Sequence, residues 1–499
     1  MFDARATQRS VARRNQTLFL IAVAVLILPV LAVRYVPLVD LPGHLGRLHI
    51  LRHYTENPAF QQRYEIVGLP IPNMLIDLFT PLLAWLSMEN VGRLFVVVCI
   101  VLFSAGCATL SRALFGVVTP LAVLAVFTQY NSMFFYGYAP FQGSVGFFLI
   151  TLALWMKWRT HWNPWRLAAI AFLSLATYIA HLGGYAFLGL SAAFLILVDC
   201  LRTRRLNLPW LAGLAAMSPP VLLYLFAHGP HANATTIEWV SLSIKMRHAV
   251  IHLLGYNGIV DGSVAAALAV AALIAIRRGK VRIHPELGPL AALFWLLFAI
   301  FPYYIGGGPD ADTRFVVGAG VLTLLALRVD IPKSAGRLAL ALALAALLFR
   351  TAYTGWVWTR QDQLIAEQVA LFDRIPVAAR VYPVVALSSE HYTAGLNQAK
   401  LERPMVHVLS WATVRRDVIT PSNFTVKGLH YVFEKEGYWS REYDASAPSG
   451  SFDWDLVFRN YDFVWYFGPD DAILRQLAPH CEQIAETGKA RLLRVVKPE

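Results

Sequence analysis

The chain has 499 residues, 57% of them hydrophobic and only 15% charged, with a formal net charge of +12. A soluble chain carries about a quarter charged residues, so the composition excludes an ordinary soluble globular protein and points to a multi-pass membrane protein. The positive charge reads as membrane topology rather than nucleic-acid binding, because Lys and Arg collect in short loops between apolar runs. Four cysteines, Cys99, Cys107, Cys200 and Cys481, form no recognisable framework, and neither a structural disulfide nor a cysteine metal site is expected.

Residues 1–16 carry Arg5, Arg9, Arg13 and Arg14, which assigns them to the cytoplasm. The first apolar run, about 17–36, therefore exits on the far face. It is long, and Arg34 and Tyr35 follow it rather than a small-residue cleavage site, so it is expected to remain as a span. Further spans are predicted near 91–111, 115–130, 139–156, 166–181, 184–201, 208–227, 262–277, 287–304, 313–329 and 335–352. That makes eleven, and it places every strongly basic short loop on the cytoplasmic side. These loops are Lys157 to Arg166, Arg202 to Arg205, Arg277 to Arg282, and Arg328 to Arg337.

The stretch 73–88, NMLIDLFTPLLAWLSM, tests the count. Taking it as a span would put all four basic loops outside. It is short and contains Asp77 and Pro81, so it is read as a non-spanning helix on the outer face, within the loop 37–90. The outer face also receives the loop 228–261 with His228 and His231, the loop 305–314, and the tail 353–499. In the tail, RQDQLIAEQVALFDRIP has helical spacing, while RVYPVVAL, YDFVWYFG and ARLLRVVK are β-branched and aromatic runs. An extracytoplasmic α/β domain is expected there. No P-loop, dinucleotide fingerprint or HExxH motif occurs.

Titratable residues concentrate in residues 38–53, LVDLPGHLGRLHILRH, directly after the first span. Asp40 has two readings. It is the N-cap of a Pro42-started helix, or it is a general base at the lip of the bilayer facing a lipid-borne substrate. His44 and Arg47 are three apart on that helix, and His49 and His53 four apart. The latter spacing fits a metal pair, but no third ligand is evident. In GGGPDADTRFVVG, residues 306–318, Asp310 and Asp312 precede Arg314 at the head of a span. Arg314 either grips a phosphate with its planar fork or snorkels to the interface. His181 in TYIAHLGGY is a hairpin turn or a site residue. Tyr136, Tyr138 and Gln142 in FFYGYAPFQG are an interfacial belt or the lining of a sugar site.

Together these features resemble the GT-C superfamily of membrane glycosyltransferases. The resembling parts are VDLPGHL at the start of a long outer loop, a many-helix core, an outer loop ending in DTRF, and an extracytoplasmic tail with YDFVWYFG. The resemblance implies transfer of a sugar from a polyprenyl-phosphate carrier to a lipid or glycan acceptor at the outer face of a cell inner (plasma) membrane. Asp40 matches the family's catalytic aspartate and Arg314 its phosphate-gripping arginine. His44 would orient Asp40 or assist the phosphate. Arg47, His181, Tyr138, Gln142 and Asp312 complete the expected binding set, with no metal, no cofactor and no nucleic-acid partner. The WWD-type motif of oligosaccharyltransferases is absent from the tail. So is the DE pair of protein mannosyltransferases, since Leu41 follows Asp40. Metal-independent transfer of a monosaccharide is therefore implied. The competing classes are a transport or export subunit, disfavoured because charges avoid the span interiors, and a non-catalytic assembly component.

Overall fold

The computed structural model describes residues 2–68, 70–78, 83–227, 237–253, 255–305, 309–330, 332–387, 398–427, 430–435, 452–469 and 471–497. His228 and His231 lie outside the described residues. The chain opens with α1 (Phe2–Leu31), α2 (Leu41–His53), α3 (Pro58–Arg63), β1 (Tyr64–Ile66), α4 (Leu75–Leu78), α5 (Met88–Phe115), α6 (Pro120–Ala125) and α7 (Ser132–Tyr136). There follow α8 (Ala139–Trp158), α9 (Pro164–Ala180), α10 (Leu182–Thr203), α11 (Leu208–Ala216), α12 (Pro219–Ala227), α13 (Leu242–Leu253) and α14 (Gly258–Arg278). The last part of the helical body holds β2 (Lys280–Ile283), α15 (Leu287–Ile300), α16 (Thr313–Ala326), β3 (Leu327–Asp330) and α17 (Lys333–Phe372).

Among the described residues, seven helical segments are long and apolar enough to cross a membrane, and α9, α15 and α16 are shorter apolar helices. These ten coincide with ten of the predicted spans. Their outward residues, such as Leu20, Phe172 and Ile276, are more than half exposed, as a lipid-facing surface requires.

The remaining predicted span, 115–130, is not one helix. It breaks into α6 and a 3-10 turn, Val126–Gln129, before α7. It nonetheless runs beside α1 between Asn15 and Leu26. Asn15 donates to the Val118 carbonyl (3.0 Å), the Tyr130 hydroxyl bonds the Leu26 carbonyl, and the Asp40 N–H donates to the Tyr136 carbonyl (2.9 Å). The span 208–227 is likewise interrupted, at Ser218-Pro219, where proline removes a backbone donor.

The basic loops gather at one end. β2 and β3 pair antiparallel, Arg159 bonds Glu286 at 2.7 Å, and Trp162 donates to the Pro209 carbonyl. Phe115 packs edge-on to His284 at the same end. The stretch 73–88 forms only the four-residue α4 among its described residues. Asp77 of α4 is held by Arg47 of α2 through two hydrogen bonds, 3.1 and 2.8 Å. An ion pair with both side chains almost fully buried ties α4 to α2.

α17 has 40 residues, about 60 Å at roughly 1.5 Å per residue. The predicted boundary at 353 therefore falls inside one continuous helix that carries the chain out of the apolar body. The tail then forms β4 (Val381–Val385), α18 (Gln398–Glu402), a 3-10 turn (Arg403–His407), α19 (Ser410–Arg416) and β5 (Val432–Glu434). It ends with α20 (Trp454–Asn460), β6 (Phe463–Phe467), α21 (Asp471–Leu477), β7 (Cys481–Thr487) and β8 (Ala490–Val495). The four-stranded sheet has order β4-β6-β8-β7, with β4 parallel to β6 and the other pairs antiparallel. The three predicted strands are β4, β6 and β8; β7, with its mostly exposed CEQIAET, went unread.

The tail does not hang free. β5 pairs with β1 of the segment that follows α1, and Arg63 bonds Glu434 at 3.1 Å in a buried pair. The Phe424 N–H donates to the Gly43 carbonyl at 3.3 Å. A Cβ at Gly46 would lie 2.0 Å from Asn423 Oδ1, so the tail seats on α2 only because that position has no side chain.

With all basic loops at one end and the outer loop and tail at the other, reporters fused after Ser87 and at the C-terminus are expected to report the same, non-cytoplasmic side. A cytoplasmic signal from either fusion would break the topology.

Candidate active site

Asp40 precedes α2 as its N-cap residue, yet its backbone is helical (φ −84°, ψ −16°) and its side chain makes no capping hydrogen bond. The carboxyl is thus spared for another use. The backbone around it is fixed instead by the turn after α7, through the bond from the Asp40 N–H to the Tyr136 carbonyl. Gly137 makes this possible. Its φ is +110°, and a Cβ there would sit 2.6 Å from both Asp40 N and Asp40 Cβ. Burial, and secondarily the Asp310 carboxylate, push the Asp40 carboxyl up to about 8.

Three histidines surround Phe424, which the tail lays over α2. His44 and His407 meet its ring edge-on, with centroids 4.8 and 4.9 Å away, and His430 stacks on it at 5.3 Å. His407 Nε2 lies 3.9 Å from Asp40 Oδ1. Its Nδ1 is 3.2 Å from the Ser422 carbonyl. A carbonyl accepts only, so Nδ1 carries the ring proton and Nε2 presents a lone pair toward Asp40. Burial holds His407 down to about 4 and His44 and His430 well below the ordinary imidazole range, so all three are neutral near pH 7. His44 Nδ1 is buried without a hydrogen-bond partner among the described residues.

The second half of the site is built on Tyr138 and the head of α16. The Arg314 guanidinium lies 5.7 Å from the Tyr138 ring centroid. Its Nε is buried and unpartnered among the described residues, and its other contact is a long 3.5 Å approach to the Pro309 carbonyl. His181 is both the end of α9 and the cap of α10, its Nδ1 accepting from the Gly183 N–H at 2.9 Å. His181 thus forms the turn between α9 and α10. The same bond leaves Nε2–H as the donor of a neutral ring, on a residue close enough to Arg314 to feel its charge. Arg403, at the start of the tail's 3-10 turn, rests 4.7 Å above the Tyr136 ring.

Other expected members face elsewhere. Arg47 shares a helix with His44, but its guanidinium is fully buried on Asp77. Asp312 is fully buried and paired with Lys245 at 3.1 Å, which anchors α13 to the head of α16. Gln142 is buried on Asn131, 3.4 Å away, beneath the tyrosine turn rather than in the site. His49 donates to Asp417 at 2.7 Å, joining α2 to the tail. Among the described residues, no three or more His, Cys, Asp or Glu side chains gather as a metal-holding group. His407, His430, Phe424 and Arg403 escaped sequence reading, since no local motif marks RPMVH or SNF as neighbours of Asp40.

No family model and no curated protein matches the chain. Among solved structures the chain is similar to ArnT from Cupriavidus metallidurans, whose crystal structure is described as bound to undecaprenyl phosphate. The two share 13% identity with a TM-score of 0.49, over 97% of this chain and 99% of that chain. At that level the likeness assigns no residue a role.

Gly137→Ala adds a Cβ against Asp40 at a positive φ. It is expected to lower stability by roughly 1–3 kcal/mol and to displace Asp40. Thermal unfolding of the purified variant checks this, and a wild-type melting profile would show that the turn tolerates a side chain.

Proposed function

We propose that the chain is a GT-C-type glycosyltransferase that moves a sugar from a polyprenyl-phosphate carrier to an acceptor hydroxyl at the outer face of a cell inner membrane. The observation that carries this reading is Asp40 itself. It occupies a cap position without capping, in a buried site at the rim of the apolar body, with its carboxyl raised toward the pH at which a general base works best. Arg314 supports it from the other side. A guanidinium with a buried, unpartnered Nε and no carboxylate in ion-pair distance among the described residues is suited to an anion brought by the substrate.

In this mechanism Asp40 removes the proton from the acceptor hydroxyl. The acceptor oxygen forms a bond to the anomeric carbon as the bond from that carbon to the carrier phosphate oxygen breaks. The phosphate leaves with the bonding electrons, already anionic, so it needs no proton. Arg314 stabilises its charge, and His181 Nε2–H is a second donor on that side. A β-linked donor gives an inverted product in this single displacement. The apolar flank of the spans takes the polyprenyl chain. A transport or export subunit, or a silent assembly component, needs none of this rim chemistry.

Asp40→Asn keeps shape and removes the proton acceptor. The test is transfer from a panel of undecaprenyl-phosphate hexoses and pentoses by the purified, monodisperse chain. Wild-type kcat/KM is expected to rise with pH through about 8. Asp40→Asn is expected to lose the limb and about 10²- to 10⁴-fold in rate. Near wild-type turnover of the variant would remove Asp40 from the mechanism. The same pKa has a stability consequence. From its ordinary value of 3.8 up to about 8 the folded state keeps a proton that the unfolded chain has lost. Stability therefore falls as pH rises through that window, and Asp40→Asn should flatten the slope.

Arg314→Lys keeps the charge and loses the fork. It is expected to weaken binding of undecaprenyl phosphate, measured by calorimetry, with little change in thermal unfolding, and Arg314→Ala to weaken it further. Unchanged affinity in Arg314→Ala would return the residue to a snorkelling role.

A further inference from the structure

His44 is a buried polar group that the transfer mechanism leaves unused. Only 3% of it is exposed. Its Nδ1 is sealed from solvent, and neither ring nitrogen has a hydrogen-bond partner among the described residues. Unpaired buried polar atoms are costly, and native interiors keep few of them. Within the reading of the chain as a sugar transferase, on which this inference rests, we propose that His44 holds a hydroxyl of the transferred sugar, between the base Asp40 and the phosphate grip of Arg314.

Three features place it there. The first is its face of the helix. His44 comes four residues after Asp40, its backbone N–H donates to the Asp40 carbonyl at 3.2 Å, and residues four apart lie on one side of a helix. The second is its position across the site. The ring meets Phe424 edge-on, with centroids 4.8 Å apart, and Phe424 also touches His407, which lies 3.9 Å from Asp40. His44 is close enough to His181 to sense its charge, and His181 senses that of Arg314. A sugar joined to a phosphate on Arg314 and attacked from the side of Asp40 spans the same interval. The third is chemistry. A neutral imidazole offers one N–H and one lone pair. A sugar hydroxyl both donates and accepts, so it satisfies the ring in either tautomer. The carrier phosphate accepts only, and the group suited to its charge is the guanidinium of Arg314.

The tail closes the position. The Phe424 ring lies over Gly43, where a Cβ would sit 3.1 Å from it. A hydrogen bond made beneath such a cover is stronger than one made in water. The ring of His44 is therefore a positioning contact for the sugar and takes no part in proton transfer.

The test uses the full chain in lipid nanodiscs, with undecaprenyl-phosphate hexoses and pentoses as donors and undecaprenyl phosphate as the sugar-free ligand. His44→Phe keeps an aromatic ring against Phe424 and removes both nitrogens. Since no described residue bonds them, the substrate-free variant is expected to melt at or above the wild-type temperature. Its KM for the donor that the wild type uses is expected to rise about three- to tenfold, with kcat nearly constant and the affinity for undecaprenyl phosphate unchanged. His44→Gln, which restores a donor and an acceptor, is expected to recover part of the loss. A lowered melting temperature with unchanged KM would make the residue structural and overturn the proposal. The second readout is the pair of ring-nitrogen NMR signals of wild-type His44, assigned by their loss in either variant. A bound sugar donor is expected to shift them and the sugar-free carrier to leave them in place. The same shift with the carrier alone would move the contact to the phosphate and overturn the proposal. No shift with a donor that binds would leave at most an ordered water on the ring, and would overturn it too. Binding of no panel donor by the wild type would instead defeat the transferase reading, which separates the two failures.

Discussion

The buried pair between Arg47 and Asp77 sets the geometry on which the outer half of the molecule depends. Both side chains are essentially inaccessible, and removing one partner of such a pair costs about 3–5 kcal/mol because the other charge is stranded. The pair fixes α2 in rotation. Arg47 joins α2 to α4, while Gly43 and Gly46 of the same helix meet the tail at Phe424 and Asn423. Asp40, at the helix start, falls against the turn after α7. The pair also resolves a competition within the sequence. Residues 73–88 are rich in apolar side chains, but Asp77 cannot be carried into hydrocarbon cheaply, and Arg47 offers it a buried partner.

The candidate site is assembled from pieces that are remote in sequence. Asp40 comes from the first outer loop, Tyr138 and His181 from the heads of early helices, Arg314 from α16, and His407 from the tail. His181 is positioned by its own cap on Gly183, and Asp40 by a backbone bond to Tyr136 of α7. Burial then separates the chemistry into two sides. On one, a carboxyl that holds its proton faces the lone pair of a neutral imidazole. On the other, an arginine without a resident carboxylate partner among the described residues sits beside an imidazole that presents N–H.

The tail's attachment makes this division possible. β5 on β1, Arg63 on Glu434 and His49 on Asp417 bind it to the outer loop at three places. The close approach at Gly46 brings Asn423 and Phe424 down onto α2. Without that approach Phe424 would not reach His44, and His407 would have no carboxyl to face. The continuous helix α17 delivers the tail to this position, so the apolar body and the tail meet through a rigid element as well as through the docking surface.

By itself the sequence determined the membrane character, ten of the apolar helical segments, the grouping of basic loops, three of the four sheet strands, and the segment around Asp40 where titratable groups concentrate. These are properties of composition, periodicity and charge placement, which act locally and leave a local trace. Only the tertiary structure decided which partner each polar residue meets. Asp40 fails to cap because its backbone stays helical, and Arg47 is consumed by Asp77. Asp312 is consumed by Lys245, while His407 arrives from the far end of the chain. The break of 115–130 into α6 and a 3-10 turn was equally hidden, since the same apolar run serves a continuous helix or a broken one until its neighbours are packed against it. A side chain's partner depends on rotation and approach between elements, and hydrophobic patterning specifies which face is buried without specifying what lies opposite it.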